Sequence, residues 1–198
     1  MIDSEFYQAQ MKCVFSEPII EKRILINKEA FISNIKKKHS VDLSHLTDEC
    51  QEHEKKVKRP VVFTETAVAE VINAYDKILV EGFNVSEMRK LYELLYDSSE
   101  RNAKYTSWQS IKLIEAILVK LSLSVDNIDI ASVMSPLYIL HDYRILLDHL
   151  LSAEKISDTK QHIVSTLGVQ SFNDQEAIYN EEIKRLNTLF NYLGVLSK

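Results

Sequence analysis

Residues 64–82 read Thr-Glu-Thr-Ala-Val-Ala-Glu-Val-Ile-Asn-Ala-Tyr-Asp-Lys-Ile-Leu-Val-Glu-Gly, and this stretch decides the fold class. Val68, Val71, Ile72, Tyr75, Ile78 and Leu79 recur at the i, i+3, i+4, i+7 spacing that lines one face of an α-helix. Thr64 stands where an N-cap belongs, its hydroxyl placed to accept a first-turn amide, and Gly82 stands where a C-terminal cap belongs. The pattern predicts a helix that buries one face against a partner.

The same reading continues toward the C-terminus. Met88, Leu91, Leu94 and Leu95 form a second stripe, opened by Asn84 or Ser86. From Ser107 to about Leu123, Ile111, Leu113, Ile114, Ile117, Leu118, Val119 and Leu121 occupy most of the circumference, which suits a helix central in a bundle. Ser135-Pro136 reads as a start signal, a capping Ser followed by Pro at the first helical position, for a helix reaching about Leu151. A shorter helix from Ser157 to Leu167 stops at Gly168, and a last stripe (Ile178, Ile183, Leu186, Leu189, Phe190, Leu193) ends at Gly194. Residues 61–198 are therefore expected to form an all-α bundle of five or six helices.

Residues 1–60 are less regular. Ile19-Ile20 and Ile24-Leu25-Ile26 fit short strands as well as a helix, because runs this short carry no decisive period. Asn27 suits the cap of a helix through Lys38. Cys50 to Arg59 (CQEHEKKVKR) is a charged tract ending at Pro60 and reads as a linker. The expectation is an irregular or mixed N-terminal segment tied to the helical domain.

Composition agrees. With 198 residues, 45% of them hydrophobic, the chain can bury a core large enough to offset the entropy of ordering it. Three Gly and three Pro are few for an all-β fold, which needs a turn about every 8–12 residues. The glycines are far apart, which excludes a Gly-rich phosphate cradle. A net charge of −5 argues against a protein that coats nucleic acid non-specifically, while leaving room for a local basic site. Two cysteines, Cys13 and Cys50, are too few for a disulfide framework and point to a reducing compartment. The opening Met1-Ile2-Asp3-Ser4-Glu5 has no signal-peptide pattern, and the run from Leu121 to Asp126 is too short to span a bilayer. The expected setting is cytoplasmic, with no membrane partner.

The chemistry-bearing residues gather after Ser135-Pro136, in His141-Asp142-Tyr143-Arg144-Ile145-Leu146-Leu147-Asp148-His149. At about 100° per residue, His141, Asp142, Arg144, Asp148 and His149 share one side of a helix, with a thick apolar face opposite. Tyr138 and Ile145 fall among them, and apolar residues on a titratable face suggest that it meets another subunit. The plainer reading is a surface ion pair between Arg144 and Asp148 at i, i+4, with solvated histidines.

The segment from Ser135 to Leu150 resembles the HEPN superfamily, whose signature is Arg-x4-6-His on a helix facing a dimer interface; Arg144 and His149 give Arg-x4-His. The resemblance implies metal-independent RNA cleavage, in which a ribose 2′-hydroxyl attacks the adjacent phosphate. Arg144 would stabilise the phosphate, His149 would act as acid and base, and His141, Asp142 and Asp148 would tune or orient them. These roles suit the residue types: imidazole moves protons near neutrality, and guanidinium grips phosphate with a planar fork. On a straight helix Arg144 and His149 lie about 140° apart, so converging on one phosphate requires distortion or a second copy of the helix, and the two-fold pairing the resemblance implies supplies the latter. The implied protein is a homodimeric ribonuclease or RNA-binding effector of a prokaryotic defence or toxin–antitoxin type, with an antitoxin or larger protein as a further partner and no cofactor or metal. Ile145 departs from the polar residue usual after the family's Arg. It favours the alternative, a non-catalytic helical domain that uses the same face for dimerisation or for docking a larger protein.

Three other groups carry weaker signals. His39, His45, Cys50 and His53 are all zinc-ligating types, but their spacing matches no standard finger, and a solvated linker is the simpler reading. Lys36, Lys37, Lys38, Lys55, Lys56, Lys58 and Arg59 are balanced by neighbouring acids and read as a solvated face. Trp108 reads as core, and Tyr92, Tyr96 and Tyr105 as half-buried helix-edge residues rather than base-stacking platforms.

Overall fold

The computed structural model describes residues 18–124 and 128–198, and among them the chain is helical. Eight α-helices follow in order: α1 Ile20–His39, α2 Thr47–Glu54, α3 Glu65–Asp76, α4 Val85–Leu95, α5 Ser110–Leu121, α6 Ile130–Asp148, α7 Ala153–Leu167 and α8 Gln175–Leu196. A π-turn, Lys77–Glu81, continues α3. The all-α expectation holds, but the helices number eight rather than five or six, because α1 and α2 precede residue 64. The one β-type contact among the described residues is an isolated bridge between Ser44 and Phe83.

The short apolar runs near the N-terminus are helical, not extended. Ile24, Phe31, Ile32 and Ile35 fall on one side of α1 and are buried. Asn27, expected as a cap, lies inside α1. The charged tract expected to be a bare linker is half helix, and it places Cys50 and Val57 in the interior. Helix α1 packs along α8, where Asn34 Nδ2 donates to the Gly194 carbonyl at 3.0 Å and to Ser197 Oγ at 3.2 Å. Gly194 is therefore within α8 and ends nothing; a Cβ there would stand 3.4 Å from the Asn27 carbonyl oxygen.

The core is shared by α3, α5, α6 and α8, with α1 packed along α8. Ile72, Tyr75, Leu113, Ile117, Leu140, Ile183, Leu186 and Phe190 are fully buried. Thr64 caps α3 by accepting from the Ala67 amide, and Asn84 caps α4 by accepting from Ser86 and Glu87. Gly168 ends α7 in the left-handed conformation, φ 70°. Gly82 does not act that way, since its φ is −72°. What it supplies is room: a Cβ would sit 2.4 Å from the Ile78 carbonyl oxygen and 2.8 Å from Cys50 Sγ.

Several helix boundaries differ from the sequence expectation, and α7 begins at Ala153 rather than Ser157 because Ser152 caps it by accepting from the Lys155 amide. Helix α5 begins at Ser110, Ser107 closing a 3-10 turn before it. Helix α6 begins at Ile130, capped by Asp129, so Pro136 lies inside it rather than at its start. Proline has no N–H to return to the carbonyl four residues back. The Ser135 hydroxyl donates to that carbonyl, Ser132 O, at 2.8 Å and fills the gap. The helix ends at Asp148, short of Leu151. No helix among the described residues is long and apolar enough to cross a membrane.

Candidate functional site

Arg144 leaves α6 toward the π-turn that follows α3. Its Nη1 lies 2.5 Å from Glu81 Oε1 and 3.6 Å from Asp76 Oδ2. The other Glu81 oxygen, Oε2, accepts from Lys77 Nζ at 2.9 Å, so one carboxylate joins two cations. Asp76 has no exposed surface, and neither of its oxygens has a hydrogen-bond partner. Arg144 stands over it as a half-buried side chain. Interior and surface charge meet at this point.

The π-turn explains why these two acids come together. Residues five apart on an α-helix lie about 140° apart, on different faces. Hydrogen bonding from i to i+5 brings such residues onto the same side, and Asp76 and Glu81 are five apart. Sequence reasoning missed both acids, since the 3.6-residue period separates them. The available signal was Asp76 itself, a lone acid beside Tyr75 in an otherwise apolar stripe.

Burial pushes the Asp76 carboxyl up to about 6, with Arg144 acting against the rise and Glu81 adding to it. Lys77 and His141 also lower it. A carboxyl that titrates near neutrality beside a half-exposed guanidinium can hold that cation in place and change its own charge over a biological pH range.

The expected site residues are dispersed rather than gathered. Asp142 turns to α7, its Oδ2 3.5 Å from His162 Nε2, and burial raises its pKa despite that histidine. His141 is exposed on α6. His149 is exposed just past the helix end, in extended conformation with φ −119° and ψ 140°. It is followed by Leu150, which is fully exposed. The Asp148 side chain lies outside the described residues. Ile145 is half-buried, and Tyr138 donates to Glu115 Oε2 at 3.1 Å. Within one chain, then, Arg144 reaches back to the π-turn while His149 lies exposed past the end of α6.

The other groups also have places. Tyr92 stacks on Tyr96 at 4.5 Å and on Tyr105 at 5.1 Å between ring centroids, with Trp108 edge-on at 5.6 Å. These rings are occupied with one another. Lys36 pairs with Asp42, Lys55 with Glu52, and Arg59 with Glu176 while lying over Phe63. Among the described residues no three His, Cys, Asp or Glu side chains are gathered as a metal site requires. Cys13 lies outside the described residues, and Cys50 is a buried free thiol. No protein-family model, curated protein or solved structure compared with the chain matches it.

Proposed function

We propose that the chain is a HEPN-like, metal-independent endoribonuclease that acts as a homodimer. Arg144 steadies the scissile phosphate and His149 moves the proton. The observation that carries this reading is Asp76: a fully buried carboxylate, without hydrogen bonds, held beneath a half-exposed Arg144 at the mouth of a π-turn. Core packing has no use for such a group, which costs stability. Perturbed acids and π-turns recur where a side chain must be held for chemistry.

The reaction is a transesterification. The ribose 2′-oxygen bonds to phosphorus, the bond from phosphorus to the 5′-oxygen breaks, and a 2′,3′-cyclic phosphate and a 5′-hydroxyl result. The 2′-hydroxyl proton leaves to one base while the departing 5′-oxygen takes a proton from one acid. A single His149 per chain is enough if two copies face one another, one histidine serving in each role. A guanidinium already fixed by buried Asp76 and partly exposed Glu81 stabilises the phosphorane charge without reorganising at the moment of reaction. Exposed Leu150 beside His149 provides apolar surface for the second copy. Prokaryotic defence or toxin–antitoxin use in the cytoplasm, with an antitoxin or larger protein covering this face, belongs to the same proposal, as do tuning roles for His141, Asp142 and Asp148.

The second reading is a non-catalytic dimerisation or docking domain. It is favoured by Glu81, which already neutralises Arg144 at 2.5 Å, and by half-buried Ile145. RNA degradation in EDTA separates the two. The ribonuclease reading expects cleavage by the wild type that falls at least a hundredfold in both Arg144→Ala and His149→Ala. Unchanged cleavage in the two folded variants, or cleavage abolished by EDTA, overturns it.

A further inference from the structure

A cavity of about 250 Å³ opens between α1, the segment leading into α2, α2 itself and Gly82. Its inner wall holds Lys28, whose residue is only 5% exposed. Among the described residues the carboxylate paired with it, Glu29 Oε1, is 3.9 Å from Nζ, beyond hydrogen-bond distance, and the Phe83 ring centroid is 5.3 Å away. An ammonium carries three donors, and among the described residues none of them has a hydrogen-bond acceptor: Nζ has only the long ion pair to Glu29 and the Phe83 ring. The stem of Lys28 is enclosed while its charged end faces the cavity, where an entering anion would supply the acceptors the protein does not.

A second feature points the same way. The N-cap position of α2 is Leu46, at φ 49°, and it offers no side-chain cap to the helix. Thr47, the first residue of α2, lines the cavity. Uncapped first-turn amides and the positive end of the helix dipole both favour an anionic oxygen. The mouth has the opposite sign, because Glu29 and Glu54 line it and are exposed. Ile32 and Cys50, both buried, add apolar lining. The cavity is thus polarised, cationic within and anionic at its entrance.

We propose that this cavity binds a small zwitterion of the free amino-acid class. The carboxylate enters toward Lys28 and the Thr47 end of α2, and the ammonium stays at the mouth with Glu29 and Glu54. A simple anion would satisfy Lys28 but meet two carboxylates on entry; a zwitterion satisfies every charge the cavity presents. The volume suits one small molecule.

The test is calorimetric titration of the full chain with each standard amino acid and γ-aminobutyrate, beside acetate and inorganic phosphate as carboxylate and anion controls. At least one amino acid is expected to bind at micromolar to low-millimolar concentration and at least tenfold more tightly than acetate or phosphate. Lys28→Met should weaken that binding at least tenfold while melting no lower than the wild type. Glu54→Gln, an exposed change that leaves the fold intact, should weaken the amino acid several-fold and strengthen acetate. The proposal fails if no amino acid binds, if acetate or phosphate binds as well as any amino acid, or if Glu54→Gln leaves the preference unchanged.

Discussion

The guanidinium of Arg144 stands 3.6 Å from the carboxylate of Asp76, a side chain with no exposed surface and no hydrogen bond of its own. The pair ties the end of α3 to the C-terminal part of α6. It also makes the fold sensitive to pH, because one member is buried and its charge is reversible.

The sign follows from the direction of the shift. The Asp76 carboxyl ordinarily titrates at 3.8 and in the fold at about 6, so its contribution to stability is full below pH 3.8 and is lost as pH rises through 6. Asp76→Asn mimics the protonated form. It should match the wild type at pH 4 and exceed it at pH 8, by up to about 3 kcal/mol. Urea denaturation at a series of pH values checks this; a variant less stable at pH 8 than at pH 4, relative to wild type, contradicts it.

Removing the cation should act in the opposite direction. Arg144→Ala leaves Asp76 and Glu81 facing each other without their shared counter-charge, and should cost about 3 kcal/mol at pH 8. The loss should shrink toward pH 5, where Asp76 is protonated. In the Asp76→Asn background the same substitution should cost clearly less, as contacting residues are not additive. A double-mutant cycle reads this coupling directly.

Glu182 offers a second buried acid for comparison. It has no exposure and neither oxygen has a hydrogen bond, and burial raises its carboxyl well above the usual range against the influence of Arg185. Stability from its protonated form is present at low pH and lost as pH rises through that raised value. Glu182→Gln should stabilise the protein in alkaline buffer and leave it unchanged at pH 4, as measured by thermal melts.

The three glycines should respond differently to Ala. Gly82→Ala forces a methyl against the Ile78 carbonyl and Cys50 Sγ and should cost about 2 kcal/mol or more. Gly168→Ala has open space but φ 70°, so about 1 kcal/mol of backbone strain is expected. Gly194→Ala sits inside α8 at a 3.4 Å contact and should be neutral or gain up to about 1 kcal/mol. Melting temperatures of the three variants rank these effects.

Much of this fold was legible because its signals are local. Thr64 and Asn84 cap where a side-chain oxygen precedes an apolar stripe, and Gly168 ends α7 with an open left-handed turn. Signals that depend on tertiary context misled. Ser135-Pro136 has the chemistry of a helix start, yet Asp129 upstream caps the helix first and the Ser135 hydroxyl compensates for the proline. Gly194 looks like a terminator but lies inside α8, where α1 packs beside it and a Cβ would make only ordinary contact with the Asn27 carbonyl. At the candidate site the motif pair Arg144 and His149 was readable, whereas their actual neighbours were not. Asp76 and Glu81 meet only because five residues adopt π geometry, and no periodicity assigned at 3.6 residues per turn puts them together.

The clasp of Asn34 on Gly194 spans 160 positions of chain. A ribosome making this protein releases the apolar side of α1 long before α8 exists to cover it. Until then Ile24, Phe31 and Ile35 must be shielded by a chaperone or by collapse onto other segments. Closing so long a loop also belongs among the slower events in folding. The nascent chain is thus most prone to aggregation while α1 waits for the segment that completes it.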